Sequence, residues 1–269
     1  MRFVLLLALG VARAQPKFEV ASIKACKDGA PESRGGSNSA PPGRLILHCQ
    51  GIGGLIHVAY ILFADGQAHL PSMARKVIGV PDWARSARYD INAKAEGTPT
   101  KGMMQGPMLQ ALLEERFHVK VHRETKEIPV YALTVVKGGP KLDSFHAGRC
   151  TPVDMRALLT IGELAEPDSL PECDYRFTRN GPNNRVDLQG TTLEDFASMM
   201  GSPLGRPVED RTGIAGRFDF RLEFAADESD PAAAQSIFSA LQKYGLKLEP
   251  AKGKSEIVVV DRVEKPLEN

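Results

Sequence analysis

From Arg44 onward the chain is periodic. A short apolar run, Leu45-Ile46-Leu47, opens Leu45–Cys49, which predicts a strand, and helical spacing follows over about Ile52–Phe63. Apolar and polar residues alternate at Tyr89–Ala95, a second predicted strand. Gly97–Pro107 is rich in glycine and proline and is expected to be an irregular spacer. Met108–Arg116 predicts a helix, and His118–Arg123 and Pro129–Val136 predict two more strands. The last of these stops at Gly138-Gly139-Pro140, a turn signal. Residues 141–183 lack a sustained period, apart from a short helix predicted at Val153–Leu164, and residues 27–43 form a polar loop of Gly, Pro and Ser.

The order then recurs. Asn184–Met200 lies over Gly43–Ala59 without a gap, setting Arg185 against Arg44, Leu188 against Leu47, Leu193 against Ile52 and Phe196 against Leu55. Arg217-Phe218-Asp219 falls on Arg88-Tyr89-Asp90. Ile237–Leu248 falls on Met108–Val121 with one short gap, and Ile257–Val260 on Val130–Leu133. Four blocks in one order predict an α+β fold of two internally duplicated β-α-β-α-β-β halves with mixed or antiparallel sheets. The expected division is a signal peptide at 1–14, a first half at 15–140, an irregular disulfide-containing connector at 141–183 and a second half at 184–269.

The first residues place the protein. Arg2, the apolar run Phe3–Val11 and Ala12-Arg13-Ala14 make the three parts of a secretory signal peptide. The run is too short to span a bilayer, and no later segment is long and apolar enough, so an exported protein without a membrane span is expected, periplasmic or extracellular. Lys+Arg number 34 against 33 Asp+Glu, a balance that gives no broad attraction to nucleic acid or anionic membrane. Aromatic residues are 6% of the chain and Trp83 is its one tryptophan, which argues against an aromatic carbohydrate-binding surface. Four cysteines, Cys26, Cys49, Cys150 and Cys173, favour disulfides in an exported chain. Three pairings are open. Cys26–Cys49 and Cys150–Cys173 are favoured because each pair brackets a loop rich in turn formers, and closing loops of roughly 23 residues contributes about 3 kcal/mol each on the entropic account. No zinc-ligand spacing occurs, and no metal is expected.

His48–Tyr60 contains Gly51-x-Gly53-Gly54 ahead of a helix, which suggests a phosphate-binding turn. The dinucleotide fingerprint wants Gly or Ala where Ile56 stands. The aligned segment of the second half is Thr192-Leu193-Glu194-Asp195, an ordinary capped helix start, so the glycines are a variant of a structural feature and no cofactor is expected. The six histidines, His48, His57, His69, His118, His122 and His146, form no metal motif. His118 and His122 share one face of a predicted strand, roughly 13 Å apart, too far to share an ion. No G-x-S-x-G elbow occurs. The repeated Arg-aromatic-Asp lacks the D-[ST]-G context of an aspartic protease and is read as structural, its aromatic in the core and its charges paired or meeting loop groups. No catalytic residue is assigned.

Beyond these patterns, Phe18–Lys24 (FEVASIK), Gly79–Gly97 (GVPDWARSARYDINAKAEG), Met108–Leu142, Gly205–Phe224, Ile237–Leu241 (IFSAL) and Ile257–Asn269 (IVVVDRVEKPLEN) resemble a soil-associated exported family of unknown function expanded mainly in acidobacteria. The resemblance covers nearly the whole mature chain and implies export and a single family domain. It departs at GIGGLIHVAY, where the family usually reads TLRELI-AY. Each half is also similar in order and spacing to the short N-terminal modules of secretins and TonB-dependent receptors, small α+β units that act by protein contact in the periplasm. The expected function is a non-enzymatic protein-interaction or ligand-binding module of the bacterial envelope, with a receptor or secretion component as partner. The alternative is an extracytoplasmic hydrolase with a dispersed active site.

Overall fold

Alternating burial builds the first sheet. In β4 (Arg88–Ala95) Tyr89, Ile91, Ala93 and Ala95 are buried and the residues between them are not, the period of two that sends successive side chains to opposite faces. β4 is the centre of an antiparallel sheet, flanked by β1 (Phe18–Ala25) and β2 (Arg44–Gly51). The computed structural model describes residues 16–27, 40–69, 76–152, 173, 175–201, 203–226 and 236–266. The expected signal peptide, most of the 27–43 loop and the helix expected at Val153–Leu164 lie outside the described residues.

The helix expected over Ile52–Phe63 is present with a change of pitch. It runs as α1 (Ile52–His57) and widens into a π turn over Val58–Leu62. Gln110 Nε2 donates to the carbonyls of Ala59 and Ala64 at 2.7 and 2.8 Å. That side chain ties the widened turn to a later helix, α4 (Leu109–Phe117). Between them come the two-residue β3 (Val77–Ile78) and the short α2 (Asp82–Ser86).

The spacer Gly97–Pro107 is not irregular throughout. Thr100 Oγ1 accepts the Met103 N–H at 3.2 Å and starts a turn, α3 (Lys101–Met103), which widens into a second π turn over Met104–Met108. Proline is costly inside a regular helix because it lacks an N–H and crowds the preceding turn. Here Pro107 stands in a kink, next to Gly106 at φ −100° and ψ −105°.

A second antiparallel sheet has the order β6-β10-β8-β7, from β6 (Asp143–Ser144), β7 (Tyr175–Asn180), β8 (Asn183–Thr191) and β10 (Phe218–Ala225). The connector 141–183, expected to be irregular, therefore supplies two edge strands. β7 folds onto β8 through Gly181-Pro182. An edge strand as polar as Tyr-Arg-Phe-Thr-Arg-Asn carries no burial period for the sequence to reveal. Helices α5 (Leu193–Met200) and α6 (Ile237–Gln242) cover this sheet's core.

The two strands expected at His118–Arg123 and Pro129–Val136 are one, β5 (Lys120–Val135). Its partner is β11 (Leu246–Arg262), one residue longer. They pair antiparallel from Leu246↔Val135 to Arg262↔Lys120, with one irregularity near the end. Short strands add in parallel at the outer edges, β3 to β11 and β9 (Val208–Asp210) to β5, giving the order β3-β11-β5-β9. The polar middle of β5 is mostly exposed, which is why it looks like a break in sequence although the ladder runs through it.

This ribbon joins the two cores. The first gathers Leu47, Ile52, Leu55, Ile91, Leu113 and Phe117 around Val119, and also takes Val258 and Val260 from β11. The second gathers Leu188, Phe196, Phe220, Leu222 and Leu241 around Leu246 and Leu248, and also takes Leu133 from β5. Each core is thus closed partly by a strand distant from it in the chain, β11 for the first and β5 for the second.

Candidate functional site

The repeated Arg-aromatic-Asp has a defined task. Cys49 and Gly190, opposite each other in the alignment, both have positive φ, 45° and 63°. Their N–H groups donate to Asp90 Oδ1 at 3.0 Å and Asp219 Oδ1 at 2.9 Å. The strand pairing slips at both places, so each aspartate holds the backbone of a β-bulge. The aromatic partners, Tyr89 and Phe218, are buried.

Cys26 is bonded to Cys49 and Cys150 to Cys173. Cys26, Cys49 and Asp90 bring three potential metal-ligand atoms within 4.8 Å of one another, but both sulfurs are engaged in the disulfide.

The histidines do not converge. His118 is not a strand residue: it is the left-handed C-cap of α4, at φ 51°, with Nδ1 3.2 Å from Glu264. The helix has to end in a left-handed residue to release the chain into β5, a position more often filled by glycine. His48 faces Asp90 at 3.6 Å, and His69 bonds Asp65 at 2.8 Å. His122 lies between two carboxylates, Nε2 3.0 Å from Glu124 and Nδ1 2.8 Å from Asp261. Those bonds, Glu124's first, hold its pKa above the ordinary imidazole value. A raised folded-state pKa stabilises fully below the unfolded value and is lost as pH rises through the raised one. His122→Gln should therefore cost stability at mildly acidic pH and little at alkaline pH. Urea midpoints across that range check this; an equal loss at both ends would contradict it.

Elsewhere, Asp187 is held below the usual carboxylate range, first by its bond to Arg185 and then by Arg221. Burial pushes the Tyr60 hydroxyl upward, and Glu114, 3.0 Å away, adds to the shift.

Two grooves each lie between the start of a helix and a short parallel strand. In the second half, Thr192 Oγ1 accepts the Asp195 N–H at 3.0 Å and donates to Asp195 Oδ2 at 2.8 Å, a capped start with Glu194 beside it. The cavity there is about 310 Å3, lined by Glu194, Ser198, Val208, Glu209 and Asp210. In the first half the N-cap is Gly51, with no side-chain cap and no acidic residue in the first turn. That cavity is about 460 Å3, with Gly51, Gly53 and Gly54 on one side, Val77–Val80 and Ala84 opposite, and Arg85 and Arg88 at its rim. One groove is acidic; its counterpart is walled by glycine and edged by arginine.

Arg85 belongs to no motif in the sequence, and the Arg88 motif reads there as structural. The signal was present in the alignment. Where the second segment has Thr192, Glu194 and Asp195, the first has Gly51, Gly53 and Gly54, so three side chains, two of them carboxylates, are missing at that helix start, and of these Glu194 lines the second groove.

Residues 55–263 match the model of a family described as a protein of unknown function (DUF3738). No curated protein and no solved structure matches the chain.

Proposed function

We propose, for a chain that belongs to the DUF3738 family of proteins of unknown function, an exported ligand-binding module of the bacterial envelope, non-enzymatic and built from two copies of one α+β unit. The single observation that carries the reading is the glycine-walled cavity of about 460 Å3 with two arginines at its rim. Its size falls within the range of small-molecule sites. The paired bulges at Cys49 and Gly190, each held by an aspartate, support the descent of both halves from one unit. Two disulfides are compatible with export. In this arrangement the second half uses ordinary helix-start chemistry, and the first has given it up to make room for a ligand.

A second reading, contact with an envelope protein such as a receptor or secretion component, is favoured by β1. It is an edge strand, and its Val20 is 62% exposed. Such an edge can accept another strand. The order and spacing of elements read from the sequence, similar to those of the short modules of secretins and TonB-dependent receptors, would suit that partner class.

The test is native mass spectrometry of the purified mature protein mixed with a panel of small organic acids, amines and neutral solutes. The expected result is a reversible complex of one ligand per chain with the ligand recovered unchanged. Catalytic consumption of a compound would replace the binding reading with the hydrolase one.

A further inference from the structure

The first groove combines features that the fold does not require. Gly53 is not in the left-handed region, and a Cβ built on it meets nothing nearer than Val80 Cγ2 at 3.8 Å, an ordinary contact. The aligned residue of the second half is Glu194, which a helix start accepts readily. Backbone geometry therefore does not demand glycine at position 53. Its effect is to leave the cavity open and free of negative charge.

The arginines are fixed from behind. Arg85 Nε donates to the Val80 carbonyl at 3.0 Å. One terminal nitrogen of Arg88 donates to the carbonyls of Arg85 and Ala87 at 2.7 and 3.2 Å. These bonds anchor both guanidinium groups through part of their donor set and leave further N–H groups available. Asp82 lies 3.8 Å from Arg85 with its side chain fully in solvent, where such a pair is worth little. No described carboxylate lies within ion-pair distance of Arg88. Two neighbouring cations without a firm counter-charge, next to the apolar Val77, Val80 and Ala84, make a site for a molecule with one anionic end and one apolar end.

We propose that this cavity binds a small monocarboxylate, its carboxylate on Arg85 and Arg88 and its apolar body against Val77, Val80 and Ala84. The proposal rests on the ligand-binding reading above and specifies its ligand class. Inorganic phosphate shares the charge chemistry but cannot use the apolar wall.

The experiment is isothermal titration of the purified mature protein with octanoate, 1-octanol and inorganic phosphate. Octanoate should bind once per chain, with at least tenfold higher affinity than either control. Arg88→Ala should weaken octanoate at least tenfold. Gly53→Glu, which sets a carboxylate in the cavity, should abolish its binding and raise the thermal midpoint; Arg88→Ala carries the test should that variant fold poorly. Octanoate binding unchanged in both variants would move the ligand elsewhere, overturning this site but leaving the ligand-binding reading intact. Phosphate binding as tight as octanoate would overturn the assignment to an amphipathic acid. Failure of all three probes, while native mass spectrometry still finds another ligand, would overturn the carboxylate class alone. No ligand by either method would overturn both readings.

Discussion

Val258→Asp, far along the chain in β11, should unfold the first core before the second. Val258 is 1% exposed and packs among Ile52, Ile91 and Phe117, residues more than a hundred positions earlier in the chain. A carboxylate there would be buried without a partner, at a cost of about 4 kcal/mol or more. Trp83, the one tryptophan, packs against that same core. Its emission should therefore shift to the red at a urea concentration that leaves the parent protein folded. Lys254→Gln, on the exposed middle of the same strand, should change stability by no more than about 0.5 kcal/mol. A Trp83 transition untouched by Val258→Asp would mean that β11 does not close the first core.

Gly106→Ala should be nearly as damaging, for a different reason. A Cβ at residue 106 would fall 1.7 Å from the Phe63 carbonyl oxygen, a backbone atom that cannot rotate away. The two π turns would have to separate. The expected loss is about 3 kcal/mol, at the upper end for overpacking. Gly53→Ala is the contrast: with room for its methyl group, it should gain about 0.5–1 kcal/mol from helix propensity. Urea unfolding of the two variants, whose effects should differ in sign, checks both. Equal effects would show that close approach at Gly106 is not what requires glycine.

What the sequence revealed depended on whether the physics was local. β2, α1, β4 and α4 were legible because each buries one face at a regular period, and their observed ends differ from expectation by a residue or two outside the π turn. In sequence β5 looks like two strands because its middle faces water and loses the period. What spans that gap is pairing with β11, more than a hundred residues away, and no local pattern records it. Gly97–Pro107 looks like a spacer because Gly and Pro disfavour regular helices, whereas a widened turn pressed against Phe63 uses both. His118 looks like a strand residue because the Val119–His122 alternation extends through it by chance. The candidate site was legible only as a contrast. Gly51-Ile52-Gly53-Gly54 differs from Thr192-Leu193-Glu194-Asp195, but the neighbouring arginines come from α2 and β4, which the sequence does not place beside it.

The exchange of strands also sets a timetable. The first core cannot close as its own residues leave the ribosome, because Val258 and Val260 follow more than a hundred residues later. Long-range pairing of this kind slows folding, since the chain must close a large loop before any contact repays the entropy. An N-terminal half made first therefore stays open until β11 arrives. If the chain is exported, as proposed above, late closure would keep it threadable during transit and both sulfur pairs accessible to oxidation afterwards.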